Sequence, residues 1–129
     1  DALELNPAFS HVECYVPGPD EQGVVLEVGG TIVAHVHGHT IRPGKHFDWW
    51  AGHAFGGQDI GQATVLLQGH MHHFQLDEQA GRTWLCAPAV ESESVWWKNR
   101  TGQGGSPGIL SFTLNQGRIS GLTKHQPKE

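Results

Sequence analysis

The amino-acid sequence predicts a strand-rich α/β (α+β) domain, and three observations carry that expectation. Short β-branched and apolar runs recur along the chain, each bounded by glycine or another turn former, as strands require. Several of those runs end directly in loops that bear histidine. Only the segment from Gly44 to Phe55 places its apolar residues at helical spacing. A chain of 129 residues suits one domain with a modest core.

The first element is a hairpin. Gly23-Val24-Val25-Leu26-Glu27-Val28 and Thr31-Ile32-Val33-Ala34-His35 flank Gly29-Gly30, a pair that accepts the left-handed backbone of a tight turn. The second strand runs straight into Val36-His37-Gly38-His39. Phe47, Trp50 and Ala54 then mark a short helix. Ala63-Thr64-Val65-Leu66-Leu67 is a compact apolar run suited to a strand buried on both faces, and it leads through Gln68 into Gly69-His70. Phe74 to Asp77 and Arg82 to Cys86 form a second hairpin around Glu78-Gln79-Ala80-Gly81. Irregular chain follows through Trp96-Trp97 to Gly108. A last strand pair, Ile109 to Leu114 and Arg118 to Leu122, is joined by Asn115-Gln116-Gly117, and the polar tail from Lys124 is expected to fray.

Charge and composition narrow the function. The net charge of -5 provides no broad basic face for nucleic acid, so a site that handles phosphate needs metal ions to attract it. Cys14 and Cys86 are too few for a disulfide framework or a thiolate zinc site, and read as buried thiols in a reducing compartment. No apolar run reaches the ~20 residues that span a bilayer. The expected location is cytoplasmic, with no membrane partner. The first residue is Asp1 and no leader-like segment follows it, so a processed chain or a fragment is expected.

The 10 histidines and 18 glycines are the unusual feature, and the clustering of the histidines matters most. His70 and His72 lie two apart after a strand, a spacing that lets both face one ion if the chain stays extended. Gly69 gives that corner a sharp turn. His37 and His39 repeat the arrangement after another strand and flank Gly38. Neutral imidazole suits zinc, manganese and iron, and strand ends of one sheet bring such corners together. His37, His70 and His72 are therefore the metal candidates, with His39 and His73 beside them. His35 belongs to its strand. His11, His46, His53 and His125 read as surface or satisfied core residues.

Arg42, Lys45, Lys98 and Arg100 are weaker candidates for phosphate contact, since charged loop residues are commonly just solvated. In Trp49-Trp50 and Trp96-Trp97 one ring of each pair is expected in the core and the other over a loop. Ser92 and Asn99 carry no assignable role.

Ile32-Val33-Ala34-His35-Val36-His37-Gly38-His39, followed further on by Val65-Leu66-Leu67-Gln68-Gly69-His70-Met71-His72, resembles the last two metal motifs of the calcineurin-like metallophosphoesterases. Ser94-Val95-Trp96-Trp97 and Gly105-Ser106-Pro107-Gly108-Ile109-Leu110-Ser111-Phe112 add a resemblance to the phage-encoded branch. The resemblance implies that residues 1–129 are the C-terminal half of a metallophosphoesterase domain, an αββα sandwich of two sheets flanked by helices. It implies two divalent ions, manganese first with zinc or iron(II) as alternatives. His37 and His70 would bind the second ion and His72 the first, with His39 as the catalytic candidate holding a phosphate oxygen. The substrate would be a phosphomono- or phosphodiester, with a nucleotide or nucleic acid among the options.

In that family the earlier half supplies an Asp-x-His pair, a bridging Asp and an Asn-His pair. No Asp-x-His, Gly-Asp or Gly-Asn-His string occurs here. This chain alone is accordingly expected to be nearly inactive, its N-terminal half coming from the same or another chain, and a free sheet edge and core face are expected where that half is absent. Two other classes remain. One is a non-catalytic domain with structural zinc. The other is a cupin-like barrel, which would want a Glu soon after His-x-His where this chain has Arg42 and Lys45.

Overall fold

The computed structural model describes residues 2–91, 99 and 105–128. Among them are seven strands, one α-helix and two single-turn 3-10 segments, at Pro7–Phe9 and Asp59–Gln62. Strands β1 (Gly23–Val28), β2 (Thr31–Val36), β3 (Val65–Gln68), β4 (Gln75–Gln79) and β5 (Arg82–Cys86) form one sheet in the order β1-β2-β3-β5-β4. Strands β6 (Ile109–Asn115) and β7 (Arg118–His125) form a separate two-stranded ribbon. The mixed, strand-rich α+β class expected from the sequence is the class observed.

The outer pairs of the sheet are hairpins closed by left-handed turn residues. Val28 pairs with Thr31 across Gly29 and Gly30, whose φ angles are 56° and 69°. Gln79 pairs with Arg82 across Ala80 and Gly81, at 51° and 74°. Two-residue turns of this hand match the right-handed twist of the strands they join. The centre of the sheet is parallel: β2 pairs with β3 and β3 with β5, in a register that aligns Val36, Gln68 and Cys86. The C-terminal ends of three strands therefore share one edge. In open sheets with parallel strands, that edge is where ligands bind.

Helix α1 (His46–Phe55) covers one face of the sheet. Trp50, 1 % exposed, anchors a core with Ala34, Val36, Ile41, Ile60, Ala63, Leu66, Trp84 and Cys86, and Phe47 and Trp49 pack at its margin. The Trp50 indole N–H donates to the Ile60 carbonyl at 2.9 Å, so the ring is buried with its polar atom satisfied. Trp49 lies over His53 at 3.9 Å between ring centroids. That is the core-and-cover division expected of this pair, whereas Trp96-Trp97, Ser92, Lys98 and Arg100 lie outside the described residues.

Three expectations need correction. Ala54, expected on the apolar side of the helix, is exposed, because the buried residues of α1, His46 and Trp50, lie in its first turns. Cys86 is buried but Cys14 is half-buried, since the chain before β1 lies outside the core. Lys124 is not frayed: it pairs with Leu110 in β7 and its Nζ donates to the Ser106 carbonyl at 2.8 Å. Both edges of the main sheet, β1 and β4, are terminal strands, and every residue of β4 is exposed. Among the described residues no helix is long and apolar enough to cross a membrane.

Candidate metal centre

Both histidine corners leave the shared C-terminal edge of the sheet. His37 follows Val36 at the end of β2, and Gly69-His70 follows Gln68 at the end of β3, one strand over. The Gly69 N–H donates to the Val36 carbonyl at 3.3 Å, extending the pairing one step beyond the strands. The result is a direct pairing of imidazoles: His70 Nδ1 and His37 Nε2 are 3.0 Å apart, with the rings edge to face at 4.8 Å. His39 is the next ring, its centroid 5.6 Å from that of His37. His37, His39, His70 and His72 are all exposed.

The second corner differs from the extended geometry expected of it. Strand β3 ends at Gln68, and His70 and His72 have φ angles of 65° and 56°. The left-handed bend falls on these histidines rather than on Gly69, and the Met71 N–H closes a tight turn onto the Gly69 carbonyl at 2.7 Å. His70 and His72 therefore do not face one way as alternate residues of a strand. A non-glycine residue in this region costs on the order of 1 kcal/mol or more, and such strain collects at functional sites. Met71, between the two, is half-buried against the core and ties the turn down.

The electrostatics favour neutral imidazole at His70. Desolvation holds the His70 pKa below its ordinary value, and positive charge on His37, His39 or His72 would lower it further. A neutral imidazole is the form that ligates metal. Among the described residues, however, no set of three or more His, Cys, Asp or Glu side chains is arranged to hold a metal ion. The paired histidines fit one edge of a coordination sphere, since adjacent ligands at bonds of about 2.0–2.1 Å lie about 3 Å apart. A carboxylate complement is not part of this donor set.

Two residues beneath the corners were not singled out from the sequence. Gln68 is 2 % exposed, and its Oε1 accepts from the Trp84 indole N–H at 2.9 Å. Gly38 has φ 95°, and a Cβ added there would lie 2.4 Å from the Gln68 Cγ, so only glycine fits between His37 and His39. An amide at the end of an otherwise apolar buried run, directly before Gly-His, was the available signal. His46 and His125 lie where a core and a surface histidine are expected. His46 is a satisfied core residue, stacked on Trp84 at 3.7 Å with Nε2 at 2.8 Å from Asp77 Oδ2, and His125 bonds Ser111 on the exposed ribbon. Arg42 is exposed, and Lys45 pairs with Asp48 at 3.3 Å on the surface.

The strand-rich sheet thus carries its candidate ligands at the C-terminal ends of its parallel strands. Solved structures with a similar fold include Vps29 proteins. An alanine-substituted Vps29 from Entamoeba histolytica matches at TM-score 0.58 and 13% identity, over 88% of this chain and 67% of that one. Wild-type Vps29 from the same organism, complexed with Zn2+, matches at 0.58 and 15%, over 81% and 58%. Vps29 from Chaetomium thermophilum matches at 0.54 and 12%, over 83% and 62%. The likeness is one of fold, and this chain spans about three fifths to two thirds of those proteins' length. No protein-family model and no curated protein matches the sequence.

Proposed function

We propose that this chain carries the histidine part of a metallophosphoesterase centre that hydrolyses a phosphomono- or phosphodiester once a carboxylate-bearing segment completes it. The observation that carries the reading is the 3.0 Å approach of His37 Nε2 and His70 Nδ1 at the ends of adjacent parallel strands. His37 and His70 hold one divalent ion and His72 contributes to a second. When bound, two such ions supply charge stabilisation for a phosphoryl group and a nucleophile at neutral pH. His39, exposed beside the pair, orients a phosphate oxygen by hydrogen bonding. Manganese is the first candidate, with zinc and iron(II) as alternatives, and the site works in a cytoplasmic, reducing setting on a phosphoester such as a nucleotide. The phage-type relationship and the C-terminal-half assignment of residues 1–129 belong to the same reading.

The test is hydrolysis of a chromogenic bis-aryl phosphate with added manganese, comparing the 129-residue chain with one extended N-terminally. Turnover by the extended chain that His37→Ala abolishes supports the enzyme. Turnover by the short chain, lost in His72→Ala, rejects its inactivity alone, and an inactive extended chain rejects the enzyme.

A second reading, a non-catalytic zinc-binding module, is suggested by the zinc complex of one structural neighbour. Stoichiometry separates the two. One tightly held zinc per chain supports the module, and two exchangeable ions in the extended protein support the enzyme.

A further inference from the structure

Gln68 stands where the two histidine corners meet the core. It is the last residue of β3, in register with Val36 of β2 and Cys86 of β5, and it immediately precedes Gly69-His70. Its side chain rises on the helix-covered face, against the backbone of Gly38, the residue that separates His37 from His39. The position Gln68 takes therefore sets how closely the His37-Gly38-His39 loop can approach the Gly69-His70 corner.

A glutamine side chain has three rotatable bonds and does not hold such a position unaided. Here it is tied. Trp84, 4 % exposed, donates its indole N–H to Gln68 Oε1 at 2.9 Å. The indole in turn stacks on the His46 ring, 3.7 Å between centroids and 7° from parallel, and His46 is held by Asp77 at 2.8 Å. The Ala87 N–H also donates to the Gln68 backbone carbonyl at 2.8 Å, which fixes the strand end itself. A chain of side chains thus runs from the exposed strand β4 through the core to the space between the corners.

We infer that Gln68, locked by Trp84, is a positioning residue that sets the separation of His37 and His70. This rests on the proposed metal reading for its purpose, but the positioning itself is a property of the metal-free chain. A buried amide at this point, where an aliphatic side chain would fill the space, is accounted for by the geometry it imposes.

Trp84→Phe removes the donor while keeping an aromatic ring on His46, and Gln68→Met removes the acceptor at similar length. The metal-free test is imidazole nitrogen–proton NMR. Both variants should shift the ring signals of His37 and His70 and leave those of His11 and His125 in place. Unmoved His37 and His70 signals in folded variants overturn the inference. Should Trp84→Phe fail to fold, Gln68→Met decides alone, and if both fail the inference is overturned because the contact is then a general core requirement.

The second arm titrates zinc alone into the full chain. Each variant should bind about tenfold more weakly, and the double variant no more weakly than either single one, because both break the same hydrogen bond. Additive losses overturn the shared mechanism. A parent chain that binds no zinc, with histidine signals that still move in the variants, rejects the metal reading and retains the positioning.

Discussion

Two histidine regions, one at the start of α1 and one at the strand ends, have opposite character. His46 is 8 % exposed, stacked on an indole and bonded to a carboxylate. His37 and His70 are exposed and face each other, and His70 sits at a left-handed bend. The first region is a polar contact at the margin of the core, its imidazole buried and its bonding capacity used locally. The second is an exposed imidazole pair at the strand ends, open to solvent on its outer side. Histidine count alone does not separate these roles; the partner and the burial do.

The largest expected effect falls on the closed region. Trp84→Ala should cost about 3–5 kcal/mol, read as a fall in the urea midpoint, because it empties core volume and strips both His46 and Gln68 of their partner. A loss below about 1 kcal/mol would contradict the core role.

Thiol labelling sharpens the same contrast of closed and open sites. Burial pushes the Cys86 thiol up to about 11 from 9.0, which cuts its thiolate about 100-fold at neutral pH, while Cys14 is only half-buried. Iodoacetamide should therefore modify Cys14 first in the native chain and reach Cys86 only on unfolding. Equal rates would show that the helix-covered face opens readily.

Asp77→Ala should cost about 1–2 kcal/mol by leaving the buried His46 nitrogen without its acceptor, the value being moderated because the carboxylate side is half open to solvent. A thermal melt within error of the parent would reduce that contact to a surface ornament.

The open region should behave in the reverse way. His70→Asn keeps a residue tolerant of the left-handed backbone and should change stability by no more than about 0.5 kcal/mol, while isothermal titration shows zinc binding lost. A destabilised variant with intact zinc binding would exchange the roles of the two regions.

Much of the fold could be read from local pattern. The turns at Gly29-Gly30 and Ala80-Gly81, the buried run ending at Gln68, and the helix over Phe47 and Trp50 all follow from short-range chemistry, which acts between residues near in sequence. His37 and His70 were legible as candidates for the same reason: each follows a strand and adjoins a glycine. The left-handed bends at His70 and His72 were not, because histidine seldom adopts them and Gly69 was the natural choice.

The sequence by itself determined the hairpins, the strand-rich class and the presence of two Gly/His corners, since periodicity and turn chemistry are written locally. Only the tertiary structure decided that β2 and β3 lie side by side in parallel, bringing His37 within 3.0 Å of His70. It alone placed Gln68 between Trp84 and Gly38, and it alone closed His46 into the core. Those contacts join residues distant in the chain. Their formation depends on strand order and register, which come from burying the whole apolar face at once rather than from any short segment.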